Sequence, residues 1–199
     1  MAFFDLGARI SGLARTVKAD LGELMQHLWL ALNGKGSPER AAHAVELQAR
    51  QAAFLGFEAG AQVQHSELGG GKLPDAYHVV NAAAAIRQGG IVAARAKIVF
   101  AERPETYIAP YVDLASQILT TGAARSGTRA AGAYNGARRK QFVRLRPVQE
   151  PRSHSTLEGT ILLADELFNI NGYLVYGPGD DALPWSEKAY CGHILKWIK

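Results

Sequence analysis

Three side chains near the carboxyl end of the sequence are of the types that bind transition metals or form a thiol nucleophile. Cys191 and His193 make a Cys-x-His pair, and His154 lies earlier in the chain. Thiolate and imidazole are ligands of zinc, and Asp180 or Asp181 could complete a four-coordinate site. Cys191 and His154 could instead act as nucleophile and general base. A third interpretation is a buried structural cysteine with hydrogen-bonded histidines. We expect this third arrangement, without a cofactor.

Cys191 is the only cysteine of the sequence. It therefore excludes an intrachain disulfide framework and any zinc site that needs several thiolates. The other histidines lack the His-x-x-x-His spacing of metal sites on helices, and we interpret them as surface or capping residues. They are His27, His43, His65 and His78.

Positive charge is concentrated in one segment. Residues 123–152 contain eight basic residues and one acidic residue, whereas residues 1–122 are neutral overall and residues 153–199 carry a net charge of −3. Such a segment could bind DNA phosphates, dock on an acidic protein surface or only be solvated. Its candidate docking residues, called the basic belt below, are Arg125, Arg129, Arg138, Arg139, Lys140, Arg144 and Arg146.

Two long helices are predicted ahead of this segment. Apolar residues recur at three- and four-residue steps over residues 3–33, which indicates an amphipathic helix. Ser37 as N-cap and Pro38 at the first helical position predict a second helix that ends near Glu67. The short joint between them predicts an antiparallel hairpin. The side chains of the second helix expected to face inward are Ala44, Leu47, Ala52, Leu55 and Val63.

More helices are predicted farther along the chain. Residues 77–100 are rich in alanine and helix-like, with Gly89 and Gly90 as a possible interruption or kink. Pro104 and Glu105 begin an amphipathic stretch that ends near Thr121. The basic stretch over residues 125–140 is also helix-like. Its glycines lower helix propensity, so we expect tight packing against a neighbour to compensate.

The pattern changes after Lys140. Residues 142–148 alternate apolar and basic side chains, which predicts a strand with one wet face. Short β-prone runs follow at 160–163, 173–176 and 194–198. The predicted fold class is therefore α+β, with long N-terminal helices in a hairpin or small bundle and a small C-terminal β-containing domain.

We predict three regions: a helical hairpin over 1–68, a helical region over 74–122 and an α+β domain over 123–199. A hydrophobic content of 48% with 20% charged residues is typical of a folded globular protein. No run of 18 apolar residues is present, so no membrane-spanning helix and no membrane partner are expected. The first residues lack the basic start of a secretory signal.

Two further motifs flank the metal-type residues. A compact polar motif comprises Arg152, His154, Leu157, Glu158 and Gly159, and Pro184-Trp185 precede Cys191. In this order, after the glycine-rich basic stretch, they resemble the C-terminal domain of MuF-type phage head-morphogenesis proteins. The resemblance covers about residues 120–199. Members of that family often end in Cys-x-Cys, where this chain has His193 in place of the second cysteine.

The resemblance implies a minor capsid protein of a tailed phage, without enzymatic activity. Such a protein would act in head assembly, portal-vertex organisation or DNA packaging and delivery. It would be located in the virion and, during assembly, in the host cytoplasm. Its implied partners are capsid or portal proteins, with double-stranded DNA as a further candidate. Several copies in a symmetric assembly would allow weak contacts to add up.

Two other functions remain open from the residues. One is a phage-associated toxin or nuclease-like enzyme, for instance a metal-dependent hydrolase, with His154, Glu158 and Asp180 as acid–base groups. The other is a basic accessory protein that binds nucleic acid.

Overall fold

The computed structural model describes residues 3–145, 153–188 and 191–199. Long helices form the first two thirds of the chain, and short antiparallel strands follow, so the predicted α+β class is confirmed. The helices are α1 Phe3–Leu32, α2 Pro38–Glu67, α3 Asp75–Glu102, α4 Ile108–Gln117, α5 Ala123–Tyr134 and the short α6 Trp185–Lys188. None of the described helices is long and apolar enough to cross a membrane.

Helices α1 and α2 form the predicted antiparallel hairpin. The Ser37 hydroxyl accepts a hydrogen bond from the Arg40 amide at 3.3 Å, which caps α2 as expected. Leu6, near the start of α1, packs in one apolar cluster with Val63, near the end of α2. The opposite ends of the two helices therefore meet.

The inward face predicted for α2 is wrong at Leu47 and Leu55, which are exposed. The residues that α2 buries are mainly smaller, and they include Val45, Ala49 and Ala53. Helix α2 packs against α1, α3 and α5 at once. Its close contacts are therefore made by alanine and glycine, and an apolar stripe of large residues is a poor guide to them.

Helix α3 runs without interruption through Gly89 and Gly90. Gly89 is buried where α3 crosses α2, and a Cβ there would lie 2.5 Å from Arg50 Cγ and 2.8 Å from the Glu46 carbonyl oxygen. The glycine therefore permits a close helix crossing and causes no break.

Helices α4 and α5 are joined by a π-helical turn, Ile118–Gly122. The helical path then ends at Tyr134, so the helix expected over residues 125–140 is wrong in its second half. Gly136 has φ +65°, and the Ala137 amide donates to the Gly132 carbonyl oxygen at 2.9 Å. This glycine-dependent C-cap ends the helix and directs the chain into a strand.

The strands form a three-stranded sheet and a separate hairpin. The sheet has the antiparallel order β2–β1–β5, and β3 pairs with β4. Strand β1 begins three residues before the predicted strand, and β3 was not predicted. The strands are β1 Arg139–Arg144, β2 Ile161–Leu163, β3 Phe168–Ile170, β4 Tyr173–Val175 and β5 His193–Ile198.

Gln64 of α2 fixes the outer edge of β5. Its amide nitrogen donates to the Trp197 carbonyl oxygen at 2.9 Å, and its amide oxygen accepts from the Trp197 N–H at 2.8 Å. Gln64 is fully buried, so both bonds are shielded from water. The indole of Trp197 lies against Gly132 of α5, where a Cβ would overlap the ring.

Small residues bring α5 against α2, as its glycine content predicted. A Cβ on Gly127 would overlap the Phe57 carbonyl oxygen and lie 2.7 Å from the Ala61 nitrogen. Gly60 of α2 faces the backbone of Ala124 in the same way. The two backbones are therefore in direct contact.

We predict that Gly127→Ala lowers the free energy of unfolding by about 1–3 kcal/mol, because the added methyl group forces the two helices apart. Gly22→Ala is the matched control, since a Cβ at Gly22 in α1 has no neighbour within 4 Å. The control should gain roughly 0.5–1 kcal/mol from higher helix propensity. Urea unfolding of both variants measures the difference. Equal shifts of the same sign would contradict the close approach of α2 and α5.

Candidate functional site

His154, Cys191 and His193 form one buried cluster. His154 lies on the 3₁₀ turn Ser153–Leu157, His193 is the first residue of β5, and Cys191 lies two residues before it. The Cys191 Sγ is 3.2 Å from His154 Nε2 and 3.6 Å from His193 Nδ1. The three residues are 2%, 3% and 0% exposed in chain order. The structure thus brings together side chains that are 37 residues apart in sequence.

A carboxylate holds each imidazole on the side away from the thiol. Glu187 of α6 lies 3.0 Å from His154 Nδ1, and Glu158 lies 2.8 Å from His193 Nε2. Glu158 also accepts a hydrogen bond from Arg144 Nε at 2.7 Å. These contacts orient both rings so that their other nitrogens face Cys191 Sγ.

Arg125 of α5 connects the cluster to the helical body. Its Nε donates to the His193 carbonyl oxygen at 2.9 Å, and its Nη2 donates to the Cys191 carbonyl oxygen at 2.5 Å. The planar guanidinium thereby spans two successive outward-facing carbonyl groups at the start of β5. Helix α5 therefore sets the position of the segment that carries both Cys191 and His193.

The cluster shifts the proton affinities of its members. Burial raises the pKa of the Cys191 thiol, but hydrogen bonds from His154 and His193 and the charge of Arg125 outweigh it and lower the pKa to about 5. Burial lowers the pKa of His154, whereas its contacts with Cys191 and Glu187 raise it, and the net shift is upward. The thiol is thus poised to be an anion between two imidazoles.

A cleft of about 540 Å³ reaches Cys191. Its walls include Gln88 of α3, Thr121 of the π turn and Arg125 of α5, opposite the loop over residues 176–181. Cys191 is the cluster member that lines this cleft, while His154 and His193 lie behind it.

Asp180, one of the two residues considered as a fourth zinc ligand, is engaged elsewhere. Its carboxylate accepts from the Tyr176 amide at 2.9 Å and from the Ala182 amide at 3.0 Å, so it closes its own loop. Among the described residues, the metal-type group that includes Cys191 has three members, whose ligand atoms lie within 4.8 Å of one another. Asp181 does not belong to it.

The other motif residues support the turn that carries His154. Leu157 packs against the apolar cluster around Phe142, and Gly159 has φ +85° and donates from its amide to the Phe142 carbonyl oxygen at 2.8 Å. The Pro184 carbonyl oxygen accepts from the Glu187 amide at 3.0 Å, and Trp185 begins α6. Arg152 lies outside the described residues.

The basic belt is not one continuous surface. Arg125 bonds carbonyl groups inside the protein, and Lys140 is fully buried with its Nζ 3.0 Å from the Tyr176 carbonyl oxygen. These two residues therefore leave the predicted docking surface. A helix over residues 125–140 would have placed Lys140 near Arg129 on one face. Because α5 ends at Tyr134, the two residues do not share a helical face.

The other belt residues that the structure describes are exposed but differ in their contacts. Arg129 stacks over the Tyr176 ring at 4.4 Å, and Arg144 pairs with Glu158. Arg138 and Arg139 lie side by side at the start of β1, where Arg139 Nη2 donates to the Lys199 carbonyl oxygen at 3.2 Å. Arg146 lies outside the described residues.

Two residues have structural roles that the sequence did not indicate, one at the site and one away from it. Glu187 was not assigned a role, and its spacing from His154 contains no motif that would have indicated one. His65 was predicted at the surface and is buried, with its Nδ1 2.9 Å from the Asn135 side-chain nitrogen. The His65 ring also packs against Gly70, and no sequence pattern predicts this contact.

Comparison with protein-family models, with curated proteins and with solved structures finds no match to this chain. The resemblance to MuF-type domains therefore stays a prediction that rests on the ordered motifs quoted above.

Lys140 generates a pH-dependent stability prediction. Burial and the charge of Arg129 lower its pKa to about 8, against the opposing effect of Asp165, Glu166 and Asp180. Between about pH 8 and pH 10.5 the unfolded chain therefore binds more protons at this residue than the folded chain. The wild-type free energy of unfolding should rise through this window relative to that of Lys140→Met.

Urea unfolding of both proteins across the window measures this difference, which should be lost as the pH falls through about 8. Lys97→Met, a change at an exposed position of α3, is the control for removing one positive charge. Parallel stability curves for wild type and Lys140→Met would refute the burial effect.

Proposed function

We propose that this chain is a structural component of a phage head, a minor capsid protein that docks on capsid or portal subunits. The observation that carries the proposal is that the two segments with MuF-like motifs meet in one unit. His154 and Glu158 come from the first segment, Cys191 and His193 from the second, and they contact one another directly. Their order in sequence thus corresponds to a joint role in the fold.

A docking role is supported by the outer face of α3. Five large aliphatic side chains of this helix are 53–72% exposed: Val79, Val80, Ile86, Ile91 and Ile98. Val80, Ile91 and Ile98 are separated by about three and two helical turns, so they lie on one line along the helix. Exposed apolar residues grouped on one element are typical of a protein-binding surface.

The charges on this helix favour one kind of partner. Arg87, seven residues after Val80, lies on the same line, and Arg95 and Lys97 are exposed elsewhere on the helix, whose acidic residues Asp75 and Glu102 lie at its two ends. The matching surface would be apolar with an acidic rim, and we assign it to a capsid or portal subunit. Several copies of the chain around a ring would let a modest contact suffice.

Duplex DNA is the second proposed partner. Arg138 and Arg139 are consecutive and exposed, so each has a guanidinium group available to a phosphate. Because Arg125 and Lys140 serve the interior, we propose a smaller DNA contact than the full basic belt.

An enzymatic function is the alternative that a specific observation favours. Cys191, His154 and Glu187 follow one another at distances of 3.2 and 3.0 Å, which is the order of nucleophile, base and orienting carboxylate. The docking proposal is preferred because Cys191 is 3% exposed, which leaves little room for attack on a substrate.

We predict that Val80→Gln, Ile91→Gln and Ile98→Gln together prevent incorporation of the chain into particles, because they remove the apolar contact while keeping a good helix former at each position. Quantitative mass spectrometry of particles from the genome that carries this gene is the measurement. Wild type should appear at a fixed ratio to the portal protein.

The control is the pair Leu47→Gln and Leu55→Gln, which changes exposed leucines on α2. It should be incorporated like wild type. Absence of the wild-type chain from both proheads and mature particles would overturn the head-protein proposal. Incorporation of the triple variant at the wild-type ratio would reject the assignment of the docking surface to α3, but not the head-protein proposal itself.

DNA contact is tested separately with Arg138→Gln and Arg139→Gln. The double variant should bind duplex DNA more weakly, and its dependence of log affinity on log salt should be shallower by roughly 1.8, since two phosphate contacts are lost. Fluorescence anisotropy over a salt series gives both values. Arg15→Gln with Arg40→Gln removes equal charge from exposed helix positions, and an identical loss there would reduce the effect to net charge.

A further inference from the structure

We propose that His154 Nε2, Cys191 Sγ and His193 Nδ1 are the ligands of one zinc-type divalent ion. The proposal goes beyond the docking function and does not depend on it. It differs from our expectation of a buried cysteine without a cofactor, although the hydrogen-bonded histidines of that expectation are present.

The distances within the cluster fit a shared ion. Zinc lies about 2.3 Å from a thiolate sulfur and about 2.0 Å from an imidazole nitrogen, so a tetrahedral site separates sulfur and nitrogen by roughly 3.5 Å. The sulfur lies 3.2 Å from His154 Nε2 and 3.6 Å from His193 Nδ1. All three ligand atoms lie within 4.8 Å of one another, so an ion placed between them would be in reach of each and would draw them to tetrahedral spacing.

The surroundings of the two histidines are those of metal ligands. A ligating imidazole commonly donates its other N–H to a carboxylate, which fixes the tautomer and the ring orientation. Glu187 supplies this partner to His154 at 3.0 Å, and Glu158 supplies it to His193 at 2.8 Å. A cysteine–histidine pair that acted as nucleophile and base would require only one such histidine. The second histidine with its own carboxylate therefore favours the ion.

The shell around the cluster would also support binding. The buried Phe142 ring packs against both imidazoles, with ring centroids 6.0 Å from His154 and 5.0 Å from His193. Such an apolar wall limits the access of water to the ion. Cys191 also lines the 540 Å³ cleft, so the cluster lies next to a solvent-filled space.

The ligand types select the ion. One thiolate and two imidazoles suit zinc and exclude magnesium and calcium, which prefer oxygen ligands. Three protein ligands leave the fourth tetrahedral position to water or to another molecule. Binding would tie the turn that carries His154 to the start of β5, since the ligands come from both.

Cobalt(II) titration of the reduced, chelator-treated full chain tests the proposal. Cobalt should bind with one-to-one stoichiometry and produce a thiolate-to-cobalt charge-transfer absorption together with the intense visible bands of a tetrahedral site. Zinc should then displace cobalt and abolish both signals. Folded wild type that gives no charge-transfer absorption at saturating cobalt would overturn the proposal.

Variants separate this site from adventitious binding. Cys191→Ser should lose the charge-transfer absorption, whereas His43→Gln, a change at an exposed histidine, should retain it. Glu187→Gln should keep the spectrum but weaken zinc binding by roughly 10–100-fold, because it alters the hydrogen bond that residue 187 accepts from His154 Nδ1. A Cys191→Ser protein that binds cobalt with the wild-type spectrum would also refute the assignment. Since the wild-type spectrum is itself decisive, misfolding of a variant leaves the test intact.

Discussion

The outer edge of β5 is the constraint on which the rest of this structure depends. Strand β5 pairs with β1 on one side, and on the other side two helical side chains bind backbone groups of β5 and of Cys191, which lies just before it. Arg125 binds the carbonyl groups of Cys191 and His193, and Gln64 binds both backbone groups of Trp197. At an unpaired edge these backbone groups would be exposed to solvent or buried without a hydrogen-bond partner. Here the helices complete the sheet, and the sheet in turn positions the cluster.

This arrangement requires the helices to be very close. Arg125 and Gln64 reach β5 from α5 and α2, and these two helices pack on each other through glycine, with Gly127 against the Phe57 backbone and Gly60 against the Ala124 backbone. Backbone-to-backbone contact is rigid, since no long side chain lies between to change rotamer. A shift of α5 would move Arg125 and, with it, the segment that carries Cys191. Packing of the helical body and geometry of the candidate site are therefore coupled.

Much of the fold is readable from sequence, because caps and periodicity are local signals. Ser37 and Pro38 mark the start of α2, and the apolar alternation after Lys140 marks β1. The end of α5 was missed because Gly136 acts through its left-handed backbone, which composition alone does not reveal. At the site, His154, Cys191 and His193 were found by residue type. Glu187 and the inward roles of Arg125 and Lys140 depend on tertiary contacts, which no spacing rule encodes.

The π-helical turn at Ile118–Gly122 sets how α5 is rotated about the helix axis relative to α4. Each residue advances an α-helix by about 100°, so a turn that accommodates an additional residue rotates the next helix relative to the last. Helix α4 buries Val112 in the bundle core, whereas α5 must direct Arg125 toward β5 and Gly127 toward α2. The turn reconciles these two orientations within one helical path. The number of residues in the π-helical turn thus sets the direction in which Arg125 projects. Deletion of a single residue from the turn would rotate α5 and point Arg125 away from β5.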